Sequence, residues 1–82
     1  MAFGNTPLLD NASRHPHMVA NAIQARPTML QDETPELVGE VARTLVRRGQ
    51  RAQLIAACDG AGLDVTRREI VRAACRFNGP VH

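Results

Sequence analysis

The arginines of the C-terminal half are the side chains with the clearest chemical potential in this 82-residue sequence. All ten basic residues are Arg, and eight of them follow position 40. Residues 1–40 have a net charge of −3, whereas residues 41–82 have a net charge of +5. Because G/C-rich coding also raises Arg content, the positions of these residues are more informative than their number. A basic half of this kind favours an anionic partner.

Three of these arginines are spaced for one face of a helix. Arg68, Arg72 and Arg76 recur every four residues, which stacks them on one side. The apolar side of the same helix consists of Ile70, Val71, Ala74 and Cys75. Like charges at this spacing repel each other by about 0.2–0.5 kcal/mol per pair, and the phosphates of a nucleic acid would offset that repulsion.

Arg67 and Arg68 stand in the first turn of this helix, where the helix dipole disfavours positive charge. Recognition helices contact base edges and phosphates with the same turn. Two interpretations remain open for the pair. Either both side chains bind an anionic partner, or they are solvated or paired with an acidic neighbour such as Asp64 or Glu69.

The C-terminal half has the order of a helix-turn-helix, because two short helices are joined by a turn that contains glycine. The first of the two is predicted from residue 50 or 51 to Asp59, with Leu54, Ile55 and Cys58 facing inward and Ala61 as a further inner position.

The second helix of this pair is predicted to begin at Thr66. Its hydroxyl and the Glu69 carboxylate fit a capping box, and the residues 78–80 (Asn-Gly-Pro) end the helix. In the common short form of the motif, the first buried position follows the turn glycine by about six residues. Gly62 and Ile70 are eight residues apart. A longer turn or an ordinary helical hairpin therefore remains open.

These observations predict a small DNA-binding protein of helix-turn-helix type, a transcriptional regulator that binds duplex DNA as a homodimer. The predicted contacts are Arg51, Gln53, Thr66, Arg67, Arg68, Arg72 and Arg76. Duplex DNA is expected because stacking on single strands uses aromatic side chains, and the chain has no Trp or Tyr and only two Phe.

The alternative is a protein-interaction module, such as an inhibitor, anti-activator or adaptor that binds a larger protein through its helical surface. The short chain and the imperfect motif spacing favour it. The acidic cluster of Asp32, Glu33, Glu36 and Glu40 could also bind a partner or the basic half of a second copy.

No enzymatic activity, cofactor or metal is predicted. Ser13 is the only Ser, and no set of nucleophile, His and acid can be assembled around it or a Cys. Cys58 and Cys75 are expected to be small buried hydrophobic residues. The residues 15–17 (His-Pro-His) lack further ligands at metal-binding spacing.

Two more helices are predicted to support this half. One extends from about Pro16 to Pro27, and the other begins with Thr34 as its N-cap and ends at Gly49. A connector over residues 28–34 packs Met29 and Leu30 inward. Residues 1–14, rich in turn formers, are predicted to be a flexible tail, and residues 15–82 a single domain.

The composition favours an all-α bundle of about four short helices. Hydrophobic residues make up 44% of the chain and aromatic residues only 2%, so the core consists of small and aliphatic side chains. The longest apolar runs are far shorter than the roughly 20 residues of a membrane span. The first ten residues do not resemble a signal peptide, and two Cys are too few for a disulfide framework, so a cytoplasmic protein is expected.

Overall fold

The protein is all-helical in the computed structural model, which describes residues 6–60 and 62–77. The elements are α1 (Thr6–Arg14), α2 (Pro16–Ala25), a short 3₁₀ helix (Pro27–Leu30), α3 (Pro35–Arg47), α4 (Arg51–Asp59) and α5 (Val65–Phe77). These described residues contain no strand. The predicted all-α class is confirmed, with five α-helices among the described residues where about four were expected.

Proline and capping side chains set the bounds of α2 and α3 as predicted. Pro16 and Pro35 stand at the helix starts, where the missing N–H costs nothing. The Thr34 hydroxyl accepts a hydrogen bond from the Leu37 N–H at 3.2 Å. Gly49 has a φ of 85° just after the end of α3, a conformation that glycine adopts without steric cost.

Helix α1 corrects the prediction that residues 1–14 form a tail. Residues 6–14 are helical, Ala12 is fully buried, and Leu8 and Leu9 pack against the core. The turn-forming residues of this segment concealed an apolar stripe, because positions 8, 9 and 12 share one face of a helix. An ion pair of 3.3 Å between Asp10 and Arg14 lies on its exposed side. Residues 1–5 of the predicted tail lie outside the described residues.

The core is aliphatic and lies where α2, α3, α4 and α5 meet. Its largest fully buried side chains are Ile23, Leu30, Val38, Val41, Leu45, Leu54 and Val71. Helix α5 packs most extensively on α3 and also contacts α4, whereas α4 packs mainly on α2. This arrangement buries one face of α5 and leaves its opposite face in solvent.

Helix α4 is rotated relative to the predicted orientation. Leu54 and Cys58 are buried as expected, but Ile55 is 44% exposed and Ala57 takes the inner position instead. The inward residues follow the helical spacing i, i+3, i+4, so the high hydrophobicity of Ile55 was misleading. The predicted inner position Ala61 lies outside the described residues.

The longest helices, α3 and α5, have 13 residues each. None of the helices within residues 6–60 and 62–77 combines the length and apolar character that crossing a membrane requires.

Candidate nucleic-acid interface

The N-terminus of α5 is capped by Asp64. Its carboxylate accepts a hydrogen bond from the Arg67 N–H at 2.8 Å, and its carbonyl accepts the first helical bond from the Arg68 N–H at 2.9 Å. The predicted capping box of Thr66 and Glu69 is therefore wrong, because both residues lie inside the helix. A carboxylate is the stronger acceptor for these N–H groups, so the helix begins at Val65.

The Arg67 side chain turns inward, away from solvent. Its Nε atom donates to the carbonyls of Leu30 and Glu33, each at 3.1 Å, and Nη2 donates to the Glu33 carbonyl at 2.6 Å. Its Nη1 atom donates to the Asp64 carboxylate at 2.8 Å, and only 16% of the side chain is exposed. Of the two interpretations left open for Arg67, pairing with Asp64 is the one found here.

Gln31 completes the connection between the 3₁₀ segment and α5. Its side-chain oxygen accepts from the Asp64 N–H at 2.7 Å, and its amide nitrogen donates to the Asp64 carboxylate at 3.4 Å. We call Leu30, Gln31, Glu33, Asp64 and Arg67 the Arg67 clamp. The hydrogen bond from the Arg67 backbone, helped by Gln31 and the Arg67 charge, lowers the pKa of Asp64.

Arg68 lies on the flank of α5 that faces α4 rather than on the side that faces solvent. Its Nη2 atom donates to the Leu63 carbonyl at 2.8 Å. Its Nε atom is buried and has no hydrogen-bond partner among the described residues. The Arg68 carbonyl accepts a weak hydrogen bond from the Cys58 thiol at 3.9 Å, which joins this flank to α4.

The solvent side of α5, which we call the outer face, is mixed in chemistry. Its exposed residues are Val65, Thr66, Glu69, Arg72 and Arg76. The Arg72 side chain is 46% exposed, and its Nη2 atom lies 3.8 Å from the carboxylate of Asp59. An exposed ion pair of this length contributes little and can be replaced by contacts to a partner.

Beside the outer face lies an open groove of about 450 Å³ between α4 and α5, which we call the basic groove. Its lining residues are Arg51, Ile55, Arg72, Cys75 and Arg76. Because Arg51 opens α4 and Arg76 is near the end of α5, the two helices lie side by side over the length of α4. Three arginines from two helices thus surround an apolar floor.

The start of α4 adds to the positive potential of this groove. Gln50 precedes the helix but provides no side-chain cap. The first N–H groups of a helix carry partial positive charge, and among the described residues the N-cap side chain does not neutralise them. The Nε atom of Arg51 is buried without a hydrogen-bond partner among the described residues. An anion at this end of the basic groove would be attracted by both the N-terminus of α4 and the Arg51 guanidinium.

The flank of α5 that faces α3 is more acidic than the flank that faces α4. A second groove lies there between α3 and α5, lined by Pro35, Glu36, Gly39, Glu40, Arg43 and Ile70. Its two carboxylates outnumber its one guanidinium, so positive charge is concentrated on the α4 side of α5.

The remaining predicted contacts divide between two places. Thr66 is exposed on the outer face. Gln53 instead donates to the Gln50 side chain at 2.8 Å and to the Asn21 side chain at 3.5 Å, which links α4 to α2. The structure therefore brings four of the predicted contacts to the basic groove and the outer face: Arg51, Thr66, Arg72 and Arg76. The side chains of Gln53, Arg67 and Arg68 are bonded elsewhere.

The two cysteines are buried and free, as expected of small hydrophobic residues. Burial raises the pKa of both thiols, which disfavours the reactive thiolate. His17 contacts the Asn21 side chain at 3.2 Å. Within the described part of the chain, no three His, Cys, Asp or Glu side chains are grouped for metal binding.

Sequence reasoning missed the Arg67 clamp because two of the three acceptors of the Arg67 side chain are backbone carbonyls, whose positions do not depend on residue type. Asp64 was the available signal: an Asp at the end of a glycine-containing turn is a favoured N-cap. Comparisons with known proteins add no assignment, since no family model, curated protein or solved structure matches this chain.

Proposed function

We propose that this protein is a non-catalytic regulator that binds duplex DNA with the outer face of α5 and the basic groove. The observation that carries the proposal is the convergence of Arg51 from α4 with Arg72 and Arg76 from α5. Thr66 adds a hydroxyl on the same side of the molecule. The role requires a location that contains DNA, in keeping with the cytoplasmic location expected from the sequence.

The dimensions of α5 suit this role. A helix of 13 residues is about 20 Å long, and the major groove is about 12 Å wide, enough to admit one α-helix. Guanidinium groups bind phosphate oxygens through two parallel hydrogen bonds. With α5 in the major groove of the DNA, Arg51 at the start of α4 would contact the phosphate backbone beside that groove, as the first helix of a helix-turn-helix does.

The salt dependence of binding tests this proposal. Fluorescence anisotropy with a labelled random-sequence duplex, measured between about 50 and 200 mM salt, gives the slope of log K against log salt. We expect the double variant Arg72→Ala/Arg76→Ala to bind more weakly and to lower that slope by about 2, since each phosphate contact contributes about 0.9.

A matched control removes the same charge elsewhere. Arg26 and Arg47 are exposed and do not line the basic groove, so Arg26→Ala/Arg47→Ala should leave the slope nearly unchanged. If both double variants lowered the slope equally, the duplex would be attracted by the net charge of the protein alone. No binding by the wild-type protein at low salt would end the proposal.

A second candidate function is binding of an acidic protein segment in the basic groove. Ile55 favours it, because a large apolar side chain that is 44% exposed among arginines suits an amphipathic acidic helix. The variant Ile55→Ser distinguishes the two candidates. Capture of a protein partner should be lost with Ile55→Ser, whereas DNA binding should change less than twofold, on the order of ordinary surface substitutions.

We further propose that the protein acts as a homodimer. Twofold symmetry would place two α5 helices about 34 Å apart, one turn of the duplex. Analytical ultracentrifugation with and without a duplex tests this, and a 1:1 complex at saturating protein would contradict it.

A further inference from the structure

We propose that Glu69 is the specificity-determining residue of the DNA-binding surface and that it selects cytosine by accepting a hydrogen bond from the base's amino group. This inference rests on the proposed function, because it requires the outer face of α5 to enter the major groove.

Glu69 lies at the centre of the outer face. It is three residues from Thr66 and three from Arg72, so all three side chains share one side of α5. Glu69 is exposed and forms no hydrogen bond or ion pair with another described residue. Arg72 is within helical reach but lies near Asp59 instead, at 3.8 Å. Among the described residues the carboxylate therefore has no partner at the point where a base edge would approach.

An acidic side chain on a surface that approaches phosphates lowers non-specific affinity. A hydrogen-bond donor within reach of the carboxylate would offset that loss. In the major groove the donors are the amino groups of cytosine and adenine. Adenine also presents its N7 acceptor beside the amino group, which repels a carboxylate, and guanine presents two acceptors. Cytosine is the base edge that a carboxylate fits best.

Selection from a random duplex library followed by sequencing tests this inference with the whole protein. Wild-type protein should enrich cytosine at one position by about tenfold, the range of one good base contact. Glu69→Ala should lose that preference and bind the unselected library more tightly. Glu69→Gln should shift the preference toward adenine, because an amide pairs with both the amino group and N7 of that base.

The matched control is Glu36→Gln, which removes an exposed carboxylate on α3, in the groove on the other flank of α5. It should leave the selected base unchanged. Identical selected sequences for the wild-type protein and both Glu69 variants would overturn the role of Glu69 while leaving DNA binding intact. Failure of the wild-type protein to retain any duplex would overturn the proposed function as well.

Discussion

The two halves of α5 use the same residue type in opposite ways. At its N-terminal end, the Arg67 guanidinium is nearly enclosed and its donors are bonded to carbonyls of the segment before α3 and to Asp64. Toward its C-terminal end, Arg72 and Arg76 are exposed beside the basic groove, and the ion pair of Arg72 with Asp59 is long. The surroundings of each arginine decide whether its charge is enclosed within the fold or exposed beside a groove.

Removal of Arg67 should have the largest effect on stability. Arg67→Ala leaves the carbonyls of Leu30 and Glu33 and the carboxylate of Asp64 without their donor, and we expect a loss of about 2–4 kcal/mol. Urea denaturation measures the free energy of unfolding. Arg67→Lys should recover only part of the loss, because an ammonium group cannot reproduce the planar geometry. A loss below about 0.5 kcal/mol, the level of an ordinary surface residue, would contradict the structural role of the clamp.

Acid should weaken the same region through Asp64. Its pKa is lowered in the folded protein, so the stabilisation is fully present above the ordinary pKa of about 3.9 and is lost as the pH falls through the lower folded value. The urea midpoint of the wild-type protein should therefore decrease between about pH 5 and pH 2. Asp64→Asn keeps an acceptor for the cap but cannot titrate, so its midpoint should decrease less. Parallel pH profiles for the two proteins would contradict this prediction.

The effect of an Arg68 substitution on stability should lie between that of Arg67 and that of the exposed Arg72. Arg68→Met retains the apolar part of the side chain and removes a buried Nε atom that has no partner among the described residues. It also removes the bond to the Leu63 carbonyl. We expect these effects to offset each other to within about 1 kcal/mol. A decrease in the free energy of unfolding as large as that of Arg67→Ala would show that Arg68 stabilises the fold as Arg67 does.

Removal of the exposed arginines should have the smallest effect on folding. Arg72→Ala is expected to change the free energy of unfolding by less than about 0.5 kcal/mol, because an exposed, long ion pair contributes little. Its effect should instead appear in the salt dependence of DNA binding. If Arg72→Ala destabilised the protein by as much as Arg67→Ala, the contrast between the two halves of α5 would not hold.

Local signals in the sequence predicted much of the fold. Thr34, Pro35 and Gly49 set the bounds of α3, and the apolar spacing of α5 gave its buried face. Two of the errors arose where two local signals competed: turn formers against a short apolar stripe in α1, and a Thr hydroxyl against an earlier Asp carboxylate at the start of α5.

The site was less predictable than the fold. Helical spacing correctly placed Arg72 and Arg76 on the exposed side of α5. It could not show that Arg67 would reach backbone carbonyls more than 30 residues earlier, because that contact depends on how the 3₁₀ segment packs. Nor could it show that Arg51 and Arg76 line one groove.

The Arg67 clamp also bears on the motions of the molecule. It joins residues 33 to 37 positions apart, so the first turn of α5 cannot open alone without breaking bonds to the segment over residues 30–33. The two segments should form one cooperative unit in native-state hydrogen exchange. The amide hydrogens of Gln31, Glu33, Arg67 and Arg68 would then exchange through a common opening, while the C-terminal turns of α5 exchange independently of it.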